Sequence, residues 1–167
     1  DLSSGSKYTV FDMPKGAKAG VNICFEDVFP EISRRFTQRG ANLLFTITND
    51  SWYNQSAGSK QHLSHVVFRA VENRRPLLRS GSNSDTCMIS PRGEILGIMR
   101  DPKSGSYFTR GAMRFALPVR DDWGETFYTR YGNLFAACCV IFTTLSCAAL
   151  FGTWFNRKKK LFEEISA

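Results

Sequence analysis

Residues 19–49 read AGVNICFEDVFPEISRRFTQRGANLLFTITN, and the change of apolar period along them decides the fold class. AGVNIC is a short apolar run with β-branched Val21 and Ile23, which predicts a strand. In EDVFPEISRRFTQRG, Val28, Phe29, Ile32 and Phe36 recur at helical spacing, and Gly40 is the stop. Pro30 falls in the first turn, where its missing N–H is tolerated. ANLLFTITN then returns to a continuous apolar, β-branched run, the pattern of a strand covered on both faces.

The alternation continues beyond a loop, DSWYNQSAGSK. QHLSHVVFRAVENRR predicts a second helix with Leu63, Val66, Val67, Ala70 and Val71 on one stripe. PLLRSGSNSDTCMISPRGEILGIMR predicts two strands joined at the turn SPRGE. Strands alternating with helices imply an α/β layered domain. After Gly105 the pattern weakens, with one further strand expected from Ala112 to Val119 and then an aromatic-rich connection. There is no internal repeat and no low-complexity segment.

At 167 residues and 43% hydrophobic, the chain is long enough and apolar enough for one domain with a real core. The net charge of +7 does not point to nucleic acid, because the cations are spread along the chain without interleaved stacking aromatics. The one true run is RKKK, Arg157 to Lys160; the other 18 basic side chains face 15 acidic ones. Five cysteines give no disulfide framework, since Cys138, Cys139 and Cys147 lie inside a long apolar run. Cys24 and Cys87 form no CxxC pair, and with His62 and His65 alone nearby no zinc site is expected, nor any other cofactor.

That apolar run, LFAACCVIFTTLSCAALFGTWF from Leu134 to Phe155, is 22 residues without a charge. As a helix it spans about 33 Å, enough for the hydrocarbon core of a bilayer. Trp154 and Phe155 suit the membrane interface, and NRKKK suits the cytoplasmic side under the positive-inside rule. The expected organisation is therefore a domain over 1–130 outside the cytoplasm, a transmembrane helix over 131–156, and a basic cytoplasmic tail over 157–167. The span is no secretory signal, lying at the wrong end without a cleavage pattern.

Cys24 stands where the first strand meets the helix, a place where unpaired N–H groups and the helix dipole favour negative charge. A thiolate there has a lowered pKa and can attack a carbonyl or thioester. The same position suits a small buried thiol, and Glu26 and Asp27 are also ordinary first-turn charges. A nucleophile needs a base; His62, His65, Glu26, Glu31 and Glu72 are the candidates, and spacing alone does not choose among them.

Taken in order, GVNICFEDVFPE, GANLLFTITNDSWY, QHLSHVVFRAVENRRPLLR and SPRGEI, followed by one hydrophobic span, resemble the C-terminal part of the carbon–nitrogen hydrolase (nitrilase) superfamily. More narrowly they resemble its membrane-embedded branch, the apolipoprotein N-acyltransferases. The resemblance covers nearly the whole chain. It implies a partial α-β-β-α sandwich with a Glu-Lys-Cys triad, in which the cysteine takes an acyl chain from a phospholipid as a thioester. The chain then passes to the N-terminal amino group of a diacylglyceryl-cysteine lipoprotein, in the bacterial inner membrane with the catalytic domain on the periplasmic side. On that pattern Cys24 is the nucleophile, and Phe25, Glu26, Asn49, Trp52 and Glu72 support the thioester site. Periodicity alone places Glu72 opposite the apolar stripe as a solvated side chain near Arg69 and Arg75.

The chain departs from the pattern in two ways. Ser82-Asn83-Ser84 stands where the family has Asn-Thr-Gly, removing the permissive glycine. The triad's glutamate and lysine lie upstream of the cysteine in the family, and Lys7, Lys15 and Lys18 sit in no matching setting. The expectation is a C-terminal portion whose missing half acts as a partner, as a fragment or as one product of a split gene. Two other functions compete with acyl transfer: a membrane-anchored nitrilase or amidase, in which water takes the acyl group, and a non-catalytic membrane-tethered assembly domain.

Overall fold

The computed structural model describes residues 5–54, 56–116 and 119–165. The chain divides into two compact units, Asp1–Arg130 and Tyr131–Ala167. The first is built on strands β1 (Val10–Asp12), β2 (Lys18–Ile23), β3 (Leu43–Asn49), β4 (Leu77–Ser82), β5 (Cys87–Ile89) and β6 (Ile95–Ile98). Helices α1 (Pro30–Gln38) and α2 (Gly58–Asn73) are the crossovers between β2, β3 and β4. Strand order in the sheet follows chain order; β2, β3 and β4 are parallel, and the outer pairings are antiparallel.

Alternation along the strands sorts their side chains onto two faces. Asn22, Leu44, Thr46, Leu77 and Arg79 share the face toward α1 and α2, where Phe36, Leu63, Val66 and Ala70 complete the core. Gly20 lies on that face because Phe36 packs over it; a Cβ there would come 2.5 Å from Phe36 Cβ. Asn22, fully buried, donates its amide to Ser33 Oγ of α1 at 2.9 Å, so strand and helix are also fixed by a polar bond.

The opposite face is apolar and largely open. Val21, Ile23, Phe45 and Ile47 line a groove of about 660 Å³ with Phe11 and Met13, and Ile47 is 55% exposed. The reading of β3 as covered on both faces therefore fails: its apolar run serves two faces, of which the described residues close one. One sheet and one helix layer make a partial sandwich.

Four local expectations also change. Residues 24–28 form a 3₁₀ turn, Phe29 is extended, and α1 begins only at Pro30, whose fixed φ and absent N–H suit the first helical position. The stretch from Leu77 to Ile98 holds three strands, because the chain reverses at Asn83 (φ 50) before β5. Ala112–Ala116 and Val119 are irregular, with 117 and 118 outside the described residues. Val71 is 45% exposed, so the α2 stripe is Leu63, Val66 and Ala70, with Val67 half-buried.

A short helix, α3 (Phe127–Tyr131), follows, and α4 (Leu134–Ile165) extends beyond the 22-residue apolar run. The segment Leu134–Lys158 is long and apolar enough to cross a membrane, with a mean hydropathy of 2.3 and none of its apolar window buried. Ser166 and Ala167, the end of the expected tail, lie outside the described residues.

Substituting Gly20→Ala should drive a methyl group into Phe36 and lower stability by about 1–3 kcal/mol. Thermal unfolding in detergent measures it, and the smaller partner in Gly20→Ala/Phe36→Leu should recover part of the loss.

Candidate active site

The C-terminal ends of the three parallel strands bring Cys24, Asn49 and Ser82 to one edge of the sheet. Ligands in open α/β sheets bind outside such an edge. Cys24 directly follows β2 and adopts φ 53, a left-handed conformation that costs a side-chain-bearing residue about 1–2 kcal/mol. Strain of this kind persists where the surroundings over-determine it. Its thiol is half-buried, and Thr48 Oγ1 of β3 lies 3.5 Å from Sγ.

The α1 dipole does not act on this thiol. Cys24 precedes α1 by six residues and an extended Phe29, and the dipole's influence is spent within the first helical turn.

Behind Cys24 lies a buried charge network. Asp50, just after β3, is the hub: His62 Nδ1 donates to Oδ1 at 2.9 Å and Thr48 Oγ1 to the same oxygen at 3.0 Å. Arg79 Nη2 of β4 donates to Oδ2 at 2.7 Å, Ser84 Oγ at 2.6 Å and Ser59 Oγ at 3.3 Å. Burial alone would raise the Asp50 carboxyl, but the bonds from His62, Ser84 and Arg79 overcome it and hold the group well below the usual carboxylate range.

His62 is 3% exposed, and its Nε2 donates to Asp27 Oδ1 at 2.8 Å. Burial disfavours its charge, yet hydrogen bonds to Asp27 and Asp50 push it up to about 9, so the ring is an imidazolium at neutral pH. An imidazolium with both nitrogens donating has no lone pair for a proton, which removes His62 as the base for Cys24.

Asp27 is corrected as well: it is fully buried on His62 and is no solvated first-turn charge. Asp50, Arg79 and Asp85 carry no distinguishing mark in the sequence, where they read as loop and strand polarity, and Ser84 stands out there only as part of the Ser82-Asn83-Ser84 departure. Their one sequence signal is on α2, where His62, Arg69 and Asn73 recur at helical spacing beside the apolar stripe and are all buried.

The other expected site residues separate into two groups. Phe25 and Glu26 are exposed beside Cys24; Phe25 packs on Phe29 and tilts against the His62 ring at 5.8 Å, and Glu26 accepts the Ile23 N–H at 2.8 Å. Asn49 Oδ1 accepts from Ser51, and Trp52, 85% exposed, lies in the 3₁₀ turn that follows at the same edge.

Glu72 lies ten residues beyond His62 on α2, about 15 Å along the helix axis. There it pairs with Arg69, whose Nη2 donates to Oε1 at 3.0 Å, and its half-buried carboxyl is raised by burial against the pull of Arg69. The same guanidinium donates through Nη1 to the Asp27 and Val28 carbonyls, so Glu72 meets the Cys24–Val28 turn through Arg69 and is not a solvated side chain. Glu31 is exposed in the first turn of α1.

Ser82-Asn83-Ser84 keeps its turn without the glycine, because asparagine takes the left-handed position. Ser84 is buried, and a Cβ at Gly81 would come 2.6 Å from its Cβ, so the glycine directly before the departure makes room for it. Among the described residues no group of three or more His, Cys, Asp or Glu is placed to hold a metal ion.

The sequence pattern of the carbon-nitrogen hydrolase family matches residues 2–106. The apolipoprotein N-acyltransferase of Geobacter metallireducens is 40% identical over 151 residues, covering 90% of this chain and 27% of that protein. That of Thermotoga maritima is 36% identical, covering 85% of this chain and 27% of that protein. The chain thus spans about a quarter of the length of these curated relatives. Among solved structures, a carbon-nitrogen hydrolase from Helicobacter pylori aligns with a TM-score of 0.54 at 13% identity, over 59% of this chain and 41% of that one, a likeness of fold alone.

Two outcomes follow from the network. Arg79→Met leaves Asp50 buried without its guanidinium and should cost about 3–5 kcal/mol, read by thermal unfolding. Because the folded His62 value is raised, its stabilisation is fully present below pH 6.5 and should be lost as pH rises through about 9; unfolding followed from pH 6 to 10 should show this loss, and His62→Gln should flatten it.

Proposed function

The chain belongs to the carbon–nitrogen hydrolase family, and from that premise we propose that it is the cysteine-bearing portion of an apolipoprotein N-acyltransferase. The observation that carries the reading is Cys24 in a left-handed turn at the end of a parallel strand, beside exposed aromatic side chains. The names of the relatives supply the substrate class, and the length and hydropathy of Leu134–Lys158 support a membrane setting.

The reaction proceeds in two transfers. A base takes the Cys24 proton, and the thiolate attacks the ester carbonyl of a phospholipid acyl chain. The tetrahedral oxyanion collapses, the C–O bond breaks, and the lysophospholipid leaves with the proton returned by the base. The N-terminal amine of a diacylglyceryl-cysteine lipoprotein then attacks the thioester, forming the amide and regenerating the thiol. Phe25 and Trp52 offer apolar surface to the acyl chain, Glu26 braces the turn through Ile23, and Asn49 shapes the neighbouring loop.

We assign the base and the oxyanion-holding lysine to polypeptide outside residues 1–167, following the family's Glu-Lys-Cys pattern. In support, the acids nearest Cys24 in sequence are already engaged: Glu26 with the Ile23 N–H and Asp27 with His62. The membrane is read as the bacterial inner membrane, with the first unit periplasmic and the basic end of α4 cytoplasmic.

The native membrane-bound protein, mixed with phospholipid, should yield an acyl adduct on Cys24 by mass spectrometry, discharged by a diacylated lipopeptide. Cys24→Ala should reduce turnover at least about a thousandfold, and Glu26→Ala should slow acylation roughly tenfold through loss of the bond to Ile23. Residues 1–167 alone should form no adduct. Release of free fatty acid without lipopeptide acylation would replace transfer with hydrolysis.

A further inference from the structure

Thr48 has one hydroxyl proton and two acceptors in reach, Asp50 Oδ1 at 3.0 Å and Cys24 Sγ at 3.5 Å. Which of them receives it depends on how well Asp50 is supplied by its other donors. His62 Nδ1 reaches the same Oδ1, while Arg79, Ser59 and Ser84 supply Oδ2. The opposite nitrogen of His62 grips Asp27, three residues after Cys24 in the same 3₁₀ turn. Asp27, His62, Asp50 and Thr48 therefore close a ring that begins and ends at the Cys24 turn.

We propose that His62, held as a cation between Asp27 and Asp50, is a positioning residue for Cys24, and that Thr48 is the link through which it acts. Through Asp27 the ring holds the Cys24–Val28 turn, and with it the left-handed backbone that places the sulfur at the sheet edge. Through Asp50 it determines where the Thr48 proton goes. With the imidazolium satisfying Oδ1, the hydroxyl is free to donate to the sulfur and stabilise its anion. With the ring neutral and its remaining proton on Nε2 toward Asp27, Asp50 loses a donor and takes the hydroxyl, and the sulfur loses its partner. The groups facing the ring from each packed element are Asp27 from the turn, Asp50 and Tyr53 after β3, and Arg79 from β4, whose Nη2 lies 3.3 Å from Nδ1. Arg79 disfavours a second cation and the two carboxylates outweigh it, in keeping with the raised value of His62.

The inference rests on the reading of Cys24 as the nucleophile, but its test needs neither acyl donor nor acceptor. In the native membrane-bound protein, the rate of Cys24 modification by iodoacetamide is followed from pH 6 to 10.5 by mass spectrometry of the Cys24 peptide. At pH 7 the wild-type rate should exceed that of Thr48→Val severalfold, although Thr48→Val leaves the Asp27–His62–Asp50 contacts in place. The difference should vanish as pH passes about 9, where the ring loses its proton and thiols ionise without a donor. Thr48→Ser should restore the wild-type rate at pH 7. His62→Gln should be slowed at pH 7 as Thr48→Val is.

Wild-type reactivity at pH 7 in Thr48→Val or in His62→Gln overturns the proposal. Should His62→Gln fail to fold, the Val and Ser pair at position 48 decides alone. A missing lipopeptide product with these alkylation profiles intact would count against acyl transfer and not against the positioning role.

Discussion

The buried carboxylate of Asp50 is the constraint on which the working end of the sheet depends. Five donors converge on its two oxygens, and they come from β3, the N-terminal part of α2, β4 and the turn after it. An unpaired charge at this depth would cost several kcal/mol, so these segments can be assembled only in the one arrangement that satisfies it. The neighbouring network extends the same logic: Asp85, fully buried, is held by Lys60 from α2 and Arg100 beyond β6. Burial of this kind gives little net stability compared with an apolar core, but it penalises every misplacement of the residues around Cys24.

Function is divided between the two faces of the sheet. The helical face holds the apolar core at one end and the charge network at the other, along the same two helices. Leu63, Val66 and Ala70 of α2 provide the packing, while His62 one position earlier enters the ion network. Asn22 and Ser33 make the transition between core and network, pairing across β2 and α1 where neither has water available. Among the described residues, the groove on the open face is lined mainly by β-branched and aromatic side chains, with Lys7, Asp12 and Glu26 among its polar lining.

Local periodicity made much of this legible in sequence. Both crossover helices follow from the spacing of Ile32, Phe36, Leu63 and Val66, because burial by one neighbouring layer leaves a regular stripe, and β2 and β3 follow from their short apolar, β-branched runs. The sequence motifs also marked the edge where Cys24, Asn49 and Trp52 gather. What periodicity could not carry was pairing between distant charges. Asp27 beside Pro30 looks like a helix-start acid until His62, thirty-five residues later, is seen to donate to it. The expected strand at Ala112 failed for a related reason: its residues have the composition of a strand, but composition supplies no hydrogen-bonding partner. The start of α1 was misplaced because Val28 and Phe29 keep helical spacing while the backbone between turn and helix is extended.

In α4, the Lys158 ammonium lies 4.6 Å from the centre of the Trp154 ring, one helical turn earlier. In a bilayer such a pair acts as a depth gauge: the indole prefers the headgroup level, and the ammonium reaches past it toward water. Sliding the helix by one turn, about 5.4 Å, would drag the ring into water or the ammonium into hydrocarbon, and either direction is opposed. Tilt and rotation remain open to the segment, whereas its vertical setting does not. For a segment spanning a bilayer in this way, the height at which the chain emerges at the other end, near Leu134, would be fixed by the tilt and by the lipid thickness.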